Sequence, residues 1–182
     1  MKQIMSELLQ DHQHISAVLT ILKNKLATLE DSGRPDFNLM SEVLDYLDDY
    51  ADGYHHTRED QIFSYLRNNH PECDSLINQA NHEHQELALL TSALRESVEQ
   101  VLLDAPFLLH DFTKRLRRFI DKQSQHLAME EGRLFPLIEQ LMTIDDWQQF
   151  SSKAALRQDP LLSAERDERY QRLYNSLIDD LA

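Results

Sequence analysis

His55-His56-Thr57-Arg58-Glu59-Asp60-Gln61-Ile62-Phe63 sets a histidine and a glutamate four residues apart, one helical turn, inside a run whose apolar residues recur at helical spacing. Extending the stripe both ways collects Met40, Val43, Leu44, Leu47, Ala51, His55, Glu59, Ile62 and Leu66, while Asp45, Asp48 and Asp49 mark the wet side. Two residues capable of chemistry thus occupy the face that a helix in a soluble protein turns inward.

The same pattern appears in three more segments. Before it, Leu8, His12, Ile15, Leu19, Leu22, Leu26 and Leu29 alternate at three- and four-residue steps. After it come Ile77, Ala80, His84, Leu87, Thr91, Leu94, Val98 and Val101, then Phe112, Leu116, Phe119, Gln123, His126, Glu130, Leu134, Leu137 and Leu141. Each stripe carries an inward histidine, and His126/Glu130 repeats the four-residue pairing of His55/Glu59.

The segments are separated by Asp31-Ser32-Gly33-Arg34-Pro35-Asp36, Asn68-Asn69-His70-Pro71 and Asp104-Ala105-Pro106, each rich in turn and helix-stop residues. Short connections favour antiparallel neighbours, so the expected fold is all-α, an antiparallel up-down-up-down four-helix bundle with a C-terminal helical extension. Three glycines and five prolines in 182 residues fit that reading. The bundle is expected over residues 1–142. Residues 143–182, with Trp147, Phe150, Asp159-Pro160-Leu161-Leu162, Tyr170, Leu173, Tyr174, Leu177 and Ile178, form an extension packed on the bundle or at an interface, with a homodimer possible.

Antiparallel hairpins also set the level of each histidine along the bundle. At about 1.5 Å per residue, His12 and His55 each lie about 21 residues from the first turn. His55 and His84 lie about 15 and 14 from the second, and His84 and His126 about 21 from the third. The four inward histidines therefore share one layer. A lone core histidine is ordinarily a hydrogen-bonded structural residue, but four at one level with two paired glutamates read as metal ligands. Imidazole and carboxylate suit iron, manganese or zinc, and an inward carboxylate can bridge two cations in a core that would otherwise penalise it.

Composition narrows the alternatives. A net charge of −14 repels phosphate backbones and anionic lipid, which argues against nucleic-acid and membrane partners. Cys73, the single cysteine, excludes an intrachain disulfide and a thiolate cluster. No apolar h-region opens the sequence, so a cytoplasmic location is expected. Asp and Glu outside the two pairs read as a solvated face.

Leu9-Gln10-Asp11-His12-Gln13-His14-Ile15, the His55–Phe63 stretch, Glu83-His84-Gln85-Glu86-Leu87 and His126-Leu127-Ala128-Met129-Glu130-Glu131-Gly132-Arg133-Leu134-Phe135-Pro136, in that order, resemble the hemerythrin-like, or HHE cation-binding, family over about residues 6 to 140. The resemblance implies two oxo- or hydroxo-bridged irons, with manganese or zinc less favoured, held by five histidines and two bridging carboxylates. It also implies dioxygen or a related molecule at an open iron position. By position it assigns His12, His55, Glu59, His84, His126 and Glu130, the two glutamates being the bridges. Members with two histidines a turn apart on the third helix would need one at position 80 or 88, where this chain has Ala80 and Ala88. His56 stands next to the second-helix histidine as the replacement, although a flank position is its other reading.

His14 and His82 fall off the stripes, and His70 and His110 are expected at the surface. Tyr50, Tyr54, Phe63, Phe119 and Phe135 read as core, with a tyrosine hydroxyl facing a bound oxygen species as the sharper alternative. Ferritin-like di-iron proteins carry Glu-x-x-His, and no histidine here has glutamate three residues before it. The expected function is a binding or sensing protein for dioxygen, nitric oxide or peroxide. The alternatives are a di-iron redox enzyme reducing peroxide or nitric oxide or handling iron for cluster repair, and an interaction module with a structural metal.

Overall fold

The computed structural model describes residues 2–106, 108–151, 159–161 and 168–181, and among these it is all-helical. Helix α1 spans Lys2–Glu30. A second rod joins α2 (Phe37–Tyr46), a π-helical segment π1 (Leu47–His55) and α3 (His56–Asn69) without a break. Helix α4 covers Asp74–Leu102. A fourth rod joins α5 (Leu109–Met129), a π segment π2 (Glu130–Leu134) and α6 (Phe135–Leu141). Two short helices follow, α7 (Ile144–Ser151) and α8 (Gln171–Leu181).

The rods stop where turn chemistry predicts. Helices α1 and α4 end alike: Ser32 (φ 61) and Asp104 (φ 53) take the left-handed conformation, and the next amide in each case donates back to a carbonyl five residues earlier, Gly33 to Thr28 at 2.8 Å and Ala105 to Gln100 at 2.9 Å. The return of the chain at Gly33 is close enough that a Cβ there would sit 2.9 Å from the Thr28 carbonyl oxygen. Asp36 caps α2, its carboxylate accepting from the Asn38 and Leu39 amides.

Helix α4 packs on α5 and α2, and α1 packs on α5, α2 and α8, giving a helical bundle. Its interior consists of two apolar clusters with a polar layer between them. One cluster runs from Ile15, Leu19 and Leu22 through Met40, Val43 and Leu44 to Leu94, Val98 and Phe112. The other gathers Met5, Leu8, Ile62, Phe63, Leu66, Ile77, Leu134 and Ile138. Burying one such side chain contributes roughly 1.5–3 kcal/mol, so the clusters can carry polar residues between them.

The extension contributes to both clusters: Trp147 is buried in the second, and Leu161, Tyr170, Leu173 and Leu177 in the first. Tyr174 is partly buried and Ile178 is exposed. The Phe150 side chain and Leu162 lie outside the described residues.

The inward stripes hold closely, with Leu26 and Val101 only partly buried and one displacement. On the fourth rod the expected sequence Leu134, Leu137, Leu141 is replaced by Leu134, Phe135, Ile138 and Met142, while Leu137 and Leu141 are only partly buried. The π turn at Glu130–Leu134 is the cause, because a wider turn takes in one more residue and rephases everything after it.

Candidate metal centre

The layer between the apolar clusters holds His12 and His55 at 0 % exposure, Glu59 and Glu130 at 0 %, His126 at 1 %, His56 at 3 % and His84 at 6 %. His12 comes from α1, His55 from the last residue of π1, His56 and Glu59 from the first turn of α3, His84 from α4, His126 from α5 and Glu130 from the first residue of π2. Both π segments therefore abut the layer. The His56 amide donates to the Ala51 carbonyl, five residues back, and this wider winding brings His55, His56 and Glu59 all into the interior.

The seven side chains meet through specific atoms. Glu59 Oε1 lies 3.2 Å from His55 Nε2 and 3.5 Å from His12 Nε2, while Glu59 Oε2 lies 3.4 Å from His84 Nε2. Glu130 Oε2 lies 3.2 Å from His126 Nε2 and 3.5 Å from His12 Nε2, and its Oε1 lies 3.4 Å from His84 Nε2. Two ligands bonded at about 2.0–2.2 Å to one ion would stand roughly 3.0–3.5 Å apart, so these separations suit shared metals.

Two groups emerge whose donor atoms lie within 4.8 Å of one another: His12, His55 and Glu59; and His56, Glu59, His84 and His126. Glu59 belongs to both. His56 stacks on His84 with ring centroids 4.1 Å apart and stands edge-on to His126 at 5.3 Å, so the structure brings it to the cluster rather than to a flank.

All five Nε2 atoms, both Glu59 oxygens and both Glu130 oxygens are buried with no hydrogen-bond partner. Each such orphan costs roughly 1–3 kcal/mol, more for a charge, and buried orphans are rare in native proteins. Nine gathered in one buried layer are explained by cations that accept their lone pairs, so the residues present fit bound metal.

The opposite ring nitrogens are all paired. His12 Nδ1 meets Glu131 at 3.0 Å, His55 Nδ1 meets Asp11 at 3.1 Å, His56 Nδ1 meets Asp52 at 3.1 Å, His84 Nδ1 meets Asp60 at 3.0 Å and His126 Nδ1 meets Glu83 at 3.0 Å. A carboxylate on Nδ1 holds the proton there and leaves the Nε2 lone pair aimed inward. These five acids overturn the reading of the remaining Asp and Glu as merely a solvated face. Asp11, Asp60, Glu83 and Glu131 are each the sequence neighbour of an inward residue, yet each serves the histidine of the next helix. An acid abutting His12, Glu59, His84 and Glu130 was the available signal.

Electrostatics agree with a sink for positive charge. Burial alone would raise Glu59, but His55 and His12 hold it well below the usual carboxylate range, and Glu130 is likewise lowered against its burial, chiefly by His126. Burial would lower His12 and His84, yet Glu130 and Glu59 bring His12 to about 10, and Asp60 with the same two carboxylates brings His84 to about 12. His56 is pushed well below the ordinary value by burial and by His84. Protons and metal ions would compete for the same nitrogens.

The other histidines lie apart. His14 pairs with Asp159 at 2.8 Å, and His82 and His110 are exposed. His70, expected at the surface, is half-buried in the turn beside Glu72, 3.5 Å away. Of the aromatic residues, Phe135 stacks on His12 at 5.1 Å and Phe63 lies 6.0 Å from His84. The Tyr50 hydroxyl donates to Asp11 at 2.9 Å, behind His55.

Among the described residues no helix is long and apolar enough to cross a membrane. No curated protein and no solved structure matches the chain significantly. The sequence does match the family model for the Hemerythrin HHE cation binding domain over residues 3–138, which is most of its length and spans the whole cluster. With its buried histidine and glutamate groups suited to holding metal, the chain belongs to the hemerythrin HHE cation binding domain family.

Proposed function

We propose that the protein holds two iron ions, one on His12 and His55, the other on His56, His84 and His126, with Glu59 and Glu130 bridging, and that it binds or senses dioxygen or a related small molecule. The observation that carries this reading is the convergence of nine orphaned donor atoms with one imidazole fewer on the His12/His55 side. Iron bound there would supply a change of oxidation state and, on the side with fewer protein ligands, a position for an exogenous ligand.

The chain's own residues set the conditions for that chemistry. Glu131, Asp11, Asp52, Asp60 and Glu83 fix the tautomer and direction of the five imidazoles. Phe135 and Phe63 exclude water from the two sides of the cluster and keep a bound molecule in a low-dielectric setting. The two apolar clusters hold the four rods in register, and we take their arrangement to be the up-down-up-down antiparallel bundle, with residues 143–182 as an extension that caps it. A cytoplasmic location accords with the lone, buried Cys73.

Mixing the reduced, iron-loaded protein with dioxygen in a stopped-flow spectrometer tests the binding reading. A distinct coloured species that reverts when oxygen is removed supports reversible binding. Direct conversion to the oxidised spectrum with no such species argues against it.

A further inference from the structure

A series of tyrosines runs from the rear of the cluster into the rest of the molecule. Tyr50 and Tyr46 stack with ring centroids 5.5 Å apart and 19° between planes. Tyr50 also touches Tyr54 at 5.4 Å, and Tyr46 meets Tyr170 edge-on at 5.7 Å. Tyr50 and Tyr46 are buried, whereas Tyr54 is only partly so and leads toward solvent. The series begins one hydrogen-bonded group from the cluster: Tyr50 donates to Asp11 Oδ1 at 2.9 Å, and Asp11 Oδ2 lies 3.1 Å from His55 Nδ1.

The hydroxyls are arranged for more than packing. Tyr46 donates to Asp159 at 3.1 Å, so it, like Tyr50, has a carboxylate at its O–H, while the Tyr170 hydroxyl lies 3.5 Å from both the Asp45 carbonyl and the Asp49 carboxylate. Burial, with Asp159 alongside, holds the Tyr46 hydroxyl well above the ordinary tyrosine range, so it stays protonated at rest. A phenol loses an electron readily only if its proton leaves at the same time, and a hydrogen-bonded carboxylate provides the acceptor. Electron tunnelling falls steeply with distance, and rings in contact make the steps short.

We propose that Tyr50, Tyr46 and Tyr54 conduct oxidising equivalents out of the buried centre, protecting its histidines when a peroxide reacts there. This inference rests on the metal reading above. A hydroperoxide that takes up two electrons and two protons leaves as water, or as water and an alcohol, and the oxidised centre is then two equivalents above its resting state. Tyr50 returns one electron to the centre while its hydroxyl proton passes to Asp11, leaving a neutral tyrosyl radical. Tyr54 then reduces that radical, its own hydroxyl proton passing to water at the partly exposed ring, and Tyr50 recovers its proton from Asp11. Where Tyr46 gives up the electron first, its proton moves to Asp159 and returns when Tyr54 reduces Tyr46 through Tyr50. A small one-electron reductant reaching Tyr54 then supplies an electron, with a proton from water, to complete each passage, and two passages restore the centre.

The test treats oxidised, iron-loaded full-length protein with one equivalent of hydrogen peroxide, freezes it, and reads tyrosyl radical by electron paramagnetic resonance and the sites of oxidative damage by peptide mapping. Wild type is expected to give the radical. Tyr50→Phe should lose it and shift damage onto His12 and His55, and Tyr46→Phe should alter its spectrum or lifetime while leaving iron content and helicity unchanged. Because phenylalanine keeps the ring, packing survives while the transferable proton is gone. Equal radical yield in Tyr50→Phe, no radical in wild type that consumes peroxide, or a loaded centre inert to peroxide each overturns the conduit and leaves the metal reading standing. A chain that takes up no iron overturns both.

Discussion

On one side of Glu59 two imidazoles, His12 and His55, offer their Nε2 atoms; on the other, His56, His84 and His126 offer three. The two sides otherwise match: each nitrogen is buried and orphaned, and each ring is braced by a carboxylate on Nδ1. The extra imidazole comes from adjacent histidines on one rod, His55 belonging to the first group and His56 to the second. An ordinary α-helix turns neighbours about 100° apart, which is why one of them would be expected to leave the interior. The π segment ending at His55 keeps both inside. A local departure from regular winding thus gives the two groups unequal numbers of imidazoles, and on the function proposed here an outside ligand would bind on the side with fewer.

The strongest test of the comparison removes what the two sides share. Glu59→Gln takes negative charge from both groups, so iron per chain should fall from about two to below about one by elemental analysis, while circular dichroism stays helical. If both irons remained, Glu59 would not be a bridge.

Removing one imidazole from each side should then separate them. His55→Ala leaves a single nitrogen in its group and should weaken one iron beyond the roughly 10–100-fold attributed to orienting partners, whereas His84→Ala leaves two nitrogens and should weaken the other less. Competition with a chelator of known affinity gives both numbers; equal losses would abolish the asymmetry.

The orienting acids come next. Asp11→Asn and Asp60→Asn keep shape but change what Nδ1 faces, and each should cost about 10–100-fold in affinity on its own side only. A loss spread over both irons would mean that the acids act through the bundle and not through one ring.

The smallest effect on iron is expected away from the layer. Leu173→Ala empties a fully buried site where the extension meets the larger apolar cluster and should cost about 2–5 kcal/mol of stability by chemical denaturation. Iron content should be unchanged, because effects at separated sites are nearly independent.

How far the sequence can be read follows from the same physics. Periodicity reports which side of a helix faces inward, so the stripes holding His12, His55, Glu59, His84, His126 and Glu130 could be read directly, and so could the breaks at Ser32, His70 and Asp104. Periodicity is silent about partners on other helices. Asp60 bracing His84 and Glu131 bracing His12 are pairings between rods, and in a chain with 32 acidic residues nothing in composition separates them from a wet face. Nor does a 3.6-residue repeat anticipate π turns. The placement of His56 and the shift from Leu137 to Ile138 both follow from such turns, and both depend on tertiary packing that a single helix does not record.

Metal content measured on protein purified without oxygen, together with its optical spectrum before and after exposure to air, decides whether the buried layer holds a pair of irons. About two irons per chain are expected, with near-ultraviolet bands of a bridged pair appearing on oxidation. One zinc, or no metal, with no spectral change on oxidation would rule out a di-iron centre.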